Sequence, residues 1–279
     1  MAQQVIDTTT DHGTYKGDPA KVAFEKVNAN DAELYQLVTG LAAVGGDNML
    51  INCGVPINQR GFAGGVLAAG LYGYDRWKAG SGGCNVTINA STGLFTHTSG
   101  PLQQIVEAPQ LAWGQPLTIS VENPSGTVNV SVGGSTGTIT SGSGRRGVTL
   151  TPTGSGNMTV QLTAAGVTYS RPKLERGSVP TTFAPRLQAL EVALCQRYFQ
   201  YVGVGASFAA GGASYVQRFP WSFPQMRGVP SITLEQISAT NLATFSTDNV
   251  GSSTLRIVVQ SAASGDVAAQ YNIKLDAEL

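Results

Sequence analysis

The sequence predicts a mainly β protein built of antiparallel sandwiches, with one helix near its start and a second in its middle. Three observations carry this. Short runs of alternating apolar and polar residues recur at roughly 10-residue intervals, each bounded by Gly, Pro, Asn or Ser. Glycine accounts for 35 of 279 residues while only 12% are charged, about half the usual ~25%. No strand-then-long-helix repeat occurs, which excludes a parallel α/β sheet. A length of 279 residues corresponds to about two domains.

The same composition excludes several functions. Seventeen basic residues balance 17 acidic ones, so there is no cationic surplus to neutralise phosphates. An apolar fraction of 42% with so little charge is not that of a disordered chain. No apolar run is long enough to span a membrane. The opening Met1-Ala2-Gln3-Gln4-Val5-Ile6-Asp7 lacks the basic and apolar regions of a cleaved signal, so cytoplasmic synthesis is expected. Cys53, Cys84 and Cys195 are odd in number, widely spaced and outside any Cys-x-x-Cys pattern, and so read as reduced and buried. The Asn-x-Ser/Thr triplets at Asn85, Asn89, Asn129 and Asn157 then follow from composition alone.

Residues 1–17 are polar and turn-rich and read as an extended arm. Asp18 and Pro19 form a helix start, and the helix is predicted from Ala20 to Thr39, with Gly40 as its stop. Phe24, Val27, Leu34, Val38 and Leu41 follow a 3-4 spacing with Asp31 in one apolar slot, a seam of under three heptads. The stripe fits either an amphipathic helix packed on its own domain or a self-associating helix. The second is preferred because Gly45-Gly46 follows and little nearby could cover the stripe; a trimer is expected, with a dimer as the alternative. Residues 1–45 carry a net charge of −3 and the remainder +3, too little to demand an anionic partner.

From Asn48 to about Arg186 the texture is β. The clearest strands are Val86–Ile88, Leu117–Val121, Val128–Val132 and Met158–Leu162, and Gly133 to Gly147 reads as a flexible loop or kinked hairpin. A second helix starts near Pro185, with Leu187, Leu190, Leu194 and Tyr198 at 3-4 spacing. Thr233–Ile237, Leu255–Gln260 and Ala268–Lys274 are the best strands of the last part, and Ala209–Ala213 is a small-residue loop. A sandwich of ~80 residues is small for independent stability, so reinforcement by other copies is expected.

Catalytic chemistry is not legible. His12 and His97 stand alone, no Gly-x-Ser-x-Gly elbow is present, and no strand–Gly-x-Gly-x-x-Gly–helix unit marks a nucleotide site. Two lone histidines and three scattered cysteines make no zinc site, so neither metal nor cofactor is expected. Asp75, Glu107, Glu122 and Glu175 lack the motif of a glycosidase pair and read as solvated or ion-paired. The chain is read as a non-enzyme. Aromatic residues offer more, because rings can cover sugar faces. Trp77 reads as core, while Trp221 and Phe223 fit core or a subunit interface. Trp113, beside Gly114, fits core and ligand contact equally. Tyr201, Tyr215, Trp221 and Trp113 are the candidate ligand-binding residues.

Several segments, in order, resemble a module common in tail fibres of tailed bacteriophages. Asn48-Met49-Leu50-Ile51-Asn52 through Asn58-Gln59-Arg60-Gly61 resembles its opening, and Tyr74-Asp75-Arg76-Trp77 its Tyr-x-x-Asp-Arg-Trp step. Leu102-Gln103-Gln104 with Leu117-Thr118-Ile119-Ser120 resembles a pair of its strands. Lys173-Leu174-Glu175-Arg176-Gly177 with Thr181-Thr182-Phe183 resembles its close. Leu194-Cys195-Gln196-Arg197-Tyr198-Phe199 resembles the step that follows, and Phe223-Pro224-Gln225-Met226-Arg227 with Pro230 resembles the terminal domain. Gly17–Lys21 and Lys26–Asn30 are similar to attachment regions of phage tail proteins. Many relatives read Asn-Gly-Asp/Asn-Phe where this chain has Asn52-Cys53-Gly54-Val55, so no ligand residue is carried over there, and no catalytic residue is carried over anywhere.

The resemblance implies a jelly-roll like a carbohydrate-binding module, a trimeric fibre and a distal receptor-binding tip. The expected organisation is therefore residues 1–45 for attachment and oligomerisation, 46–186 as jelly-roll, 187–198 as linking helix and 199–279 as tip. The expected function is a receptor-binding protein of the virion, made in the bacterial cytoplasm and acting outside it. It would join tail or baseplate proteins through residues 1–45, form a homotrimer, and attach to a host surface polysaccharide or lipopolysaccharide, with neither nucleic acid nor membrane insertion involved. The alternative is a purely structural tail or baseplate connector. Recognition is expected in loops Gly203–Tyr215 and Thr240–Ser253, and the low charge favours a neutral glycan.

Overall fold

The computed structural model describes residues 5–42 and 47–279, with side chains of 35–42 outside the described set. The described residues are mainly β, with antiparallel sheets and two helices. Helix α1 (Ala20–Ala42) precedes β1 (Gly65–Leu67), β2 (Lys78–Ala79), β3 (Cys84–Ile88), β4 (Leu94–Ser99), β5 (Pro101–Val106) and β6 (Leu117–Glu122). There follow β7 (Val128–Val132), β8 (Ser135–Ile139), β9 (Arg145–Leu150), β10 (Met158–Thr163) and β11 (Val167–Arg176). After α2 (Gln188–Gln196) come β12 (Phe199–Ala210), β13 (Val216–Ser222), β14 (Ser231–Thr240), β15 (Leu242–Asp248), β16 (Thr254–Ser261) and β17 (Gly265–Asp276).

The described residues 5–42, with Thr181–Ala184, form one compact unit, and residues 47–180 with 185–279 form another. In the first unit the polar arm is not extended. The Asp7 carboxylate accepts the Thr9 and Thr10 N–H groups at 2.8 and 3.0 Å, and Asp11 bridges Lys16. The Gly17 and Asp18 N–H groups close back onto the Thr10 and Asp7 carbonyls, so the segment doubles over. Asp18 takes the Asp7 N–H and the Lys26 ammonium. Helix α1 continues through Gly40 to Ala42. A glycine inside a helix costs only about 1 kcal/mol relative to alanine, too little to stop it where helix-forming residues follow.

In the second unit two sheets, β1-β3-β4-β11-β6-β9 and β2-β5-β10-β7-β8, each bury one face, as a β-sandwich requires. Val86 and Ile88, Val128, Val130 and Val132, and Met158, Val160 and Leu162 point inward at every second residue. Phe95 stacks on Tyr169 at 5.2 Å and meets the edge of Trp77 at 5.7 Å, so Trp77 is core. Of the two forms expected for Gly133 to Gly147, a flexible loop or a kinked hairpin, the hairpin is present: the stretch supplies the turn and return strand β8 and ends in β9. Gly133-Gly134 is a two-residue turn with both φ values positive, +55° and +89°, which ties β7 to β8. Two further three-stranded sheets, β12-β17-β14 and β13-β16-β15, enclose a core of Leu255, Ile257, Val259, Val267, Ile273 and Leu275.

The larger and smaller β portions are joined by buried charge. Arg76 is almost fully buried; it pairs with Glu278, donates to the Ile105 carbonyl and lies 3.5 Å over the Tyr198 ring. Arg60 lies 3.7 Å over Phe199 and reaches Asp276 at 3.2 Å and Glu278 at 3.3 Å. Gln59 bridges the Asp75 carboxylate at 2.7 Å and the Phe199 carbonyl at 2.9 Å. Glu107 binds Arg197 and Arg227, and the Tyr72 hydroxyl and Lys78 ammonium donate to the Leu279 carbonyl.

Burial raises Asp75 to about 6 and pushes Glu278 upward, although Gln59, Arg60 and Arg76 oppose this. A carboxyl with a raised folded-state pKa stabilises the fold when protonated, and that contribution is lost as pH rises through about 6. Acidifying from pH 7 to 5 is therefore expected to add about 1 kcal/mol at this joint, and Asp75→Asn should flatten the profile in urea titrations. Arg76→Ala leaves the buried Glu278 carboxylate with Arg60 as its one remaining cation in the joint and should cost about 3 kcal/mol in the same measurement.

Candidate functional site

The outward face of β5-β10-β7-β8 carries a continuous polar surface. Pairing aligns Gln103, Gln161, Ser131 and Thr136 in one row across the sheet, and Thr163, Asn129 and Thr138 in the next. The alternation that sends Val130, Val132, Val160 and Leu162 into the core sends these amides and hydroxyls outward. The row is ordered by its own hydrogen bonds. Gln103 Nε2 donates to Gln161 Oε1 at 2.7 Å, and Gln161 Nε2 donates to Thr163 Oγ1 at 3.0 Å. Thr138 Oγ1 donates to Asn129 Oδ1 at 3.2 Å.

Two adjoining hollows lie on this surface. One, of about 340 Å³, is lined by Asn129, Ser131, Thr136, Thr138, Gln161 and Thr163. The other, of about 510 Å³, shares Asn129 and Thr163 and continues along Gly126, Thr127, Ala165 and Gly166. No charged or aromatic side chain lines either hollow. The groove offers paired donors and acceptors on a neutral floor, which matches hydroxyl-rich, uncharged ligands.

Sequence reasoning missed this groove. Its signal in the sequence is the outward half of the strand alternation, Asn129, Ser131, Gln161 and Thr163. The four candidate ligand residues lie elsewhere and are not gathered into one site. Tyr201 is 38% exposed on the outer face of β12; its hydroxyl donates to Glu235 at 3.2 Å and accepts from Asn272 at 2.7 Å. Tyr215 is 47% exposed near Phe208, with ring centroids 6.0 Å apart. Trp221 is half-buried against Phe223 at 5.4 Å. Trp113 donates to the Gly156 carbonyl and covers the β7–β8 turn so closely that a Cβ on Gly133 would lie 2.5 Å from its ring.

The expected recognition loops are largely strand. Gly203 to Ala210 belongs to β12 and Leu242 to Asp248 to β15, because Val202, Val204, Ala206 and Phe208 alternate inward between the small residues. In the seam of α1, Phe24 is 69%, Val27 38% and Leu34 60% exposed, while the side chains of Val38 and Leu41 lie outside the described residues.

The acids of the larger sandwich have structural partners: Glu107 as above, Glu122 with Arg145 and Arg171, and Glu175 with Lys173 in a buried pair at 2.9 Å. His97 is buried between the Tyr169 hydroxyl and the Gly100 carbonyl, and burial lowers its pKa. Among the described residues no cluster of three His, Cys, Asp or Glu could hold a metal, and no helix is long and apolar enough to cross a membrane. A scan of protein-family models finds no match, and a search of curated proteins finds none either.

Cys53, Cys84 and Cys195 are all free and buried. Burial pushes each thiol up, Cys84 to about 11. Since the thiolate is the reactive species, the native chain should be silent to a thiol reagent at pH 8. Three thiols should appear on unfolding without reductant; fewer would reveal a disulfide.

Proposed function

We propose that this protein is a receptor-binding component of a phage tail fibre, a trimer that attaches the virion to a neutral glycan of the host surface. The observation that carries the glycan reading is the uncharged amide and hydroxyl groove over β5-β10-β7-β8. Sugar hydroxyls both donate and accept, as do the groups of Asn129, Ser131, Gln161 and Thr163. A carbohydrate-binding jelly-roll is the architecture that the two larger sheets suit. Attachment through residues 1–45 and trimerisation through α1 fit the exposed Phe24 and Leu34, which give the helix an apolar stripe with solvent as its present neighbour. Three sites on one particle would bind a surface far more strongly than one.

The test is binding of the full chain to an array of neutral and anionic oligosaccharides. Binding is expected on neutral ones and should change little with salt, because no ion pair is involved. Removing two groove hydrogen-bonding groups with Asn129→Ala and Gln161→Ala should weaken it about tenfold or more. If Tyr201→Ala abolished binding while the groove variant bound normally, recognition would belong to the smaller sandwich. If nothing on the array or on host cells bound, the connector reading would replace this one.

Assembly has its own test. Light scattering should give three times 28.9 kDa. Leu34→Asp places a carboxylate in an apolar seam and should move dissociation to at least about tenfold higher concentration. An unchanged dissociation curve would remove α1 from the interface.

A further inference from the structure

The hydrogen bonds of the groove floor run in a fixed direction. Gln103 donates to Gln161, and Gln161 Nε2 donates to Thr163 Oγ1 at 3.0 Å, so the Thr163 oxygen acts as acceptor. From the other side Thr138 donates to Asn129 Oδ1 at 3.2 Å, which engages the carbonyl end of that amide. A hydroxyl has one proton to give and an amide nitrogen two. Among the described residues, neither the Thr163 proton nor the Asn129 Nδ2 protons have an acceptor in the protein. Thr163 and Asn129 are direct partners in the β10–β7 ladder, so their side chains stand about 5 Å apart on one face. The two unused donors therefore sit side by side, at the two residues that both hollows share.

On one side of these donors the surface changes character. The hollow of about 340 Å³ continues over Ser131, Thr136 and Gln161. The hollow of about 510 Å³ continues instead over Ala164, Ala165 and Val167, between Gly126 and Gly166. A Cβ on Gly126 would lie 2.8 Å from the Val167 side chain, so that space stays open only with glycine there. A pair of donors thus borders a small apolar bed.

One neutral substituent matches both halves. A carbonyl oxygen accepts two hydrogen bonds and has no proton of its own to place. A sugar hydroxyl would bring a proton to oxygens that already accept, Thr163 Oγ1 from Gln161 and Asn129 Oδ1 from Thr138. A methyl group attached to the carbonyl would meet the alanines. We infer that the groove selects glycans carrying an acetyl group, its carbonyl oxygen taking the Asn129 Nδ2 and Thr163 hydroxyl protons and its methyl lying on Ala165. The inference rests on the glycan reading above and names the substituent that this site recognises. An acetamido group and an acetyl ester share this chemistry.

The experiment uses the full chain on an array of neutral oligosaccharides printed in matched pairs. Chitotetraose beside cellotetraose compares an acetamido group with a hydroxyl at one carbon, and acetylated beside plain xylotetraose does the same for an ester. The acetylated member of at least one kind of pair should bind about tenfold more tightly or better. Preference for the acetamido pair alone, or the ester pair alone, assigns the linkage and supports the inference. Thr163→Val keeps the shape and removes the proton, and should cut the preference to about threefold or less, whereas Thr163→Ser should keep it. Ala165→Asp, at an exposed position, should also reduce it. Equal binding of paired glycans, or a preference untouched by Thr163→Val and Ala165→Asp, would overturn the acetyl assignment and leave the neutral-glycan groove standing. No binding to either member of any pair would overturn the glycan reading and this inference with it.

Discussion

Arg76 is the charge around which the larger unit is organised. A guanidinium removed from water is tolerated only where its charge and its donors find partners. Here it has the Glu278 carboxylate, the Ile105 carbonyl and the face of Tyr198. These partners come from β5, from the end of α2 and from the segment after β17, so satisfying one side chain brings three distant stretches together. Arg60 repeats the arrangement beside it, over Phe199 and against Asp276 and Glu278. The two β portions therefore share buried charges and could not separate without exposing them unpaired.

This joint gives a physical meaning to the motifs that resemble tail-fibre modules. Gln59 and Arg60, Asp75 and Arg76, Arg197, Tyr198 and Phe199, and Arg227 all meet there or directly beside it. Gln104, from another motif, pins the Ile51 backbone with both ends of its amide. These polar motif residues hold the architecture together, in line with the ion-paired role that the sequence suggests for Asp75 and Glu107. The groove, by contrast, is made of residues that belong to no motif, such as Asn129, Thr136 and Gln161.

The surface follows from the low charge of the chain. Most charged side chains of the larger unit are engaged in ion pairs at the joint or along sheet edges. Apart from the exposed Arg146, Arg176, Arg218 and Asp266, what remains exposed is mostly neutral: hydroxyls and amides on the larger sandwich, small residues along β12 of the smaller one. The first surface suits a hydrated, uncharged ligand. On the second, the bulge on β14, Pro220 on β13 and the charges Arg218, Glu235 and Asp248 interrupt the edges.

The sequence alone determined the elements that depend on neighbouring residues. The period-two alternation at Leu117–Glu122, Val128–Val132 and Met158–Thr163, and the Asp18-Pro19 start of the first helix, are local signals, and the mainly β antiparallel fold followed from them. Other features were out of reach for a stated reason. The helix ran past Gly40 because one glycine is a weak stop. Gly203 to Ala210 looked like a loop because its small residues hide an alternation that becomes legible only once β17 pairs with it. The groove needs three strands in register, with Gln161, Ser131 and Thr136 drawn from separate segments. The joint needs Gln59 beside Phe199 and Arg76 beside Glu278, residues 140 and 202 positions apart. Propensity and periodicity act over a few residues, whereas burying a charge or aligning a polar row is decided only where the folded chain brings distant residues together.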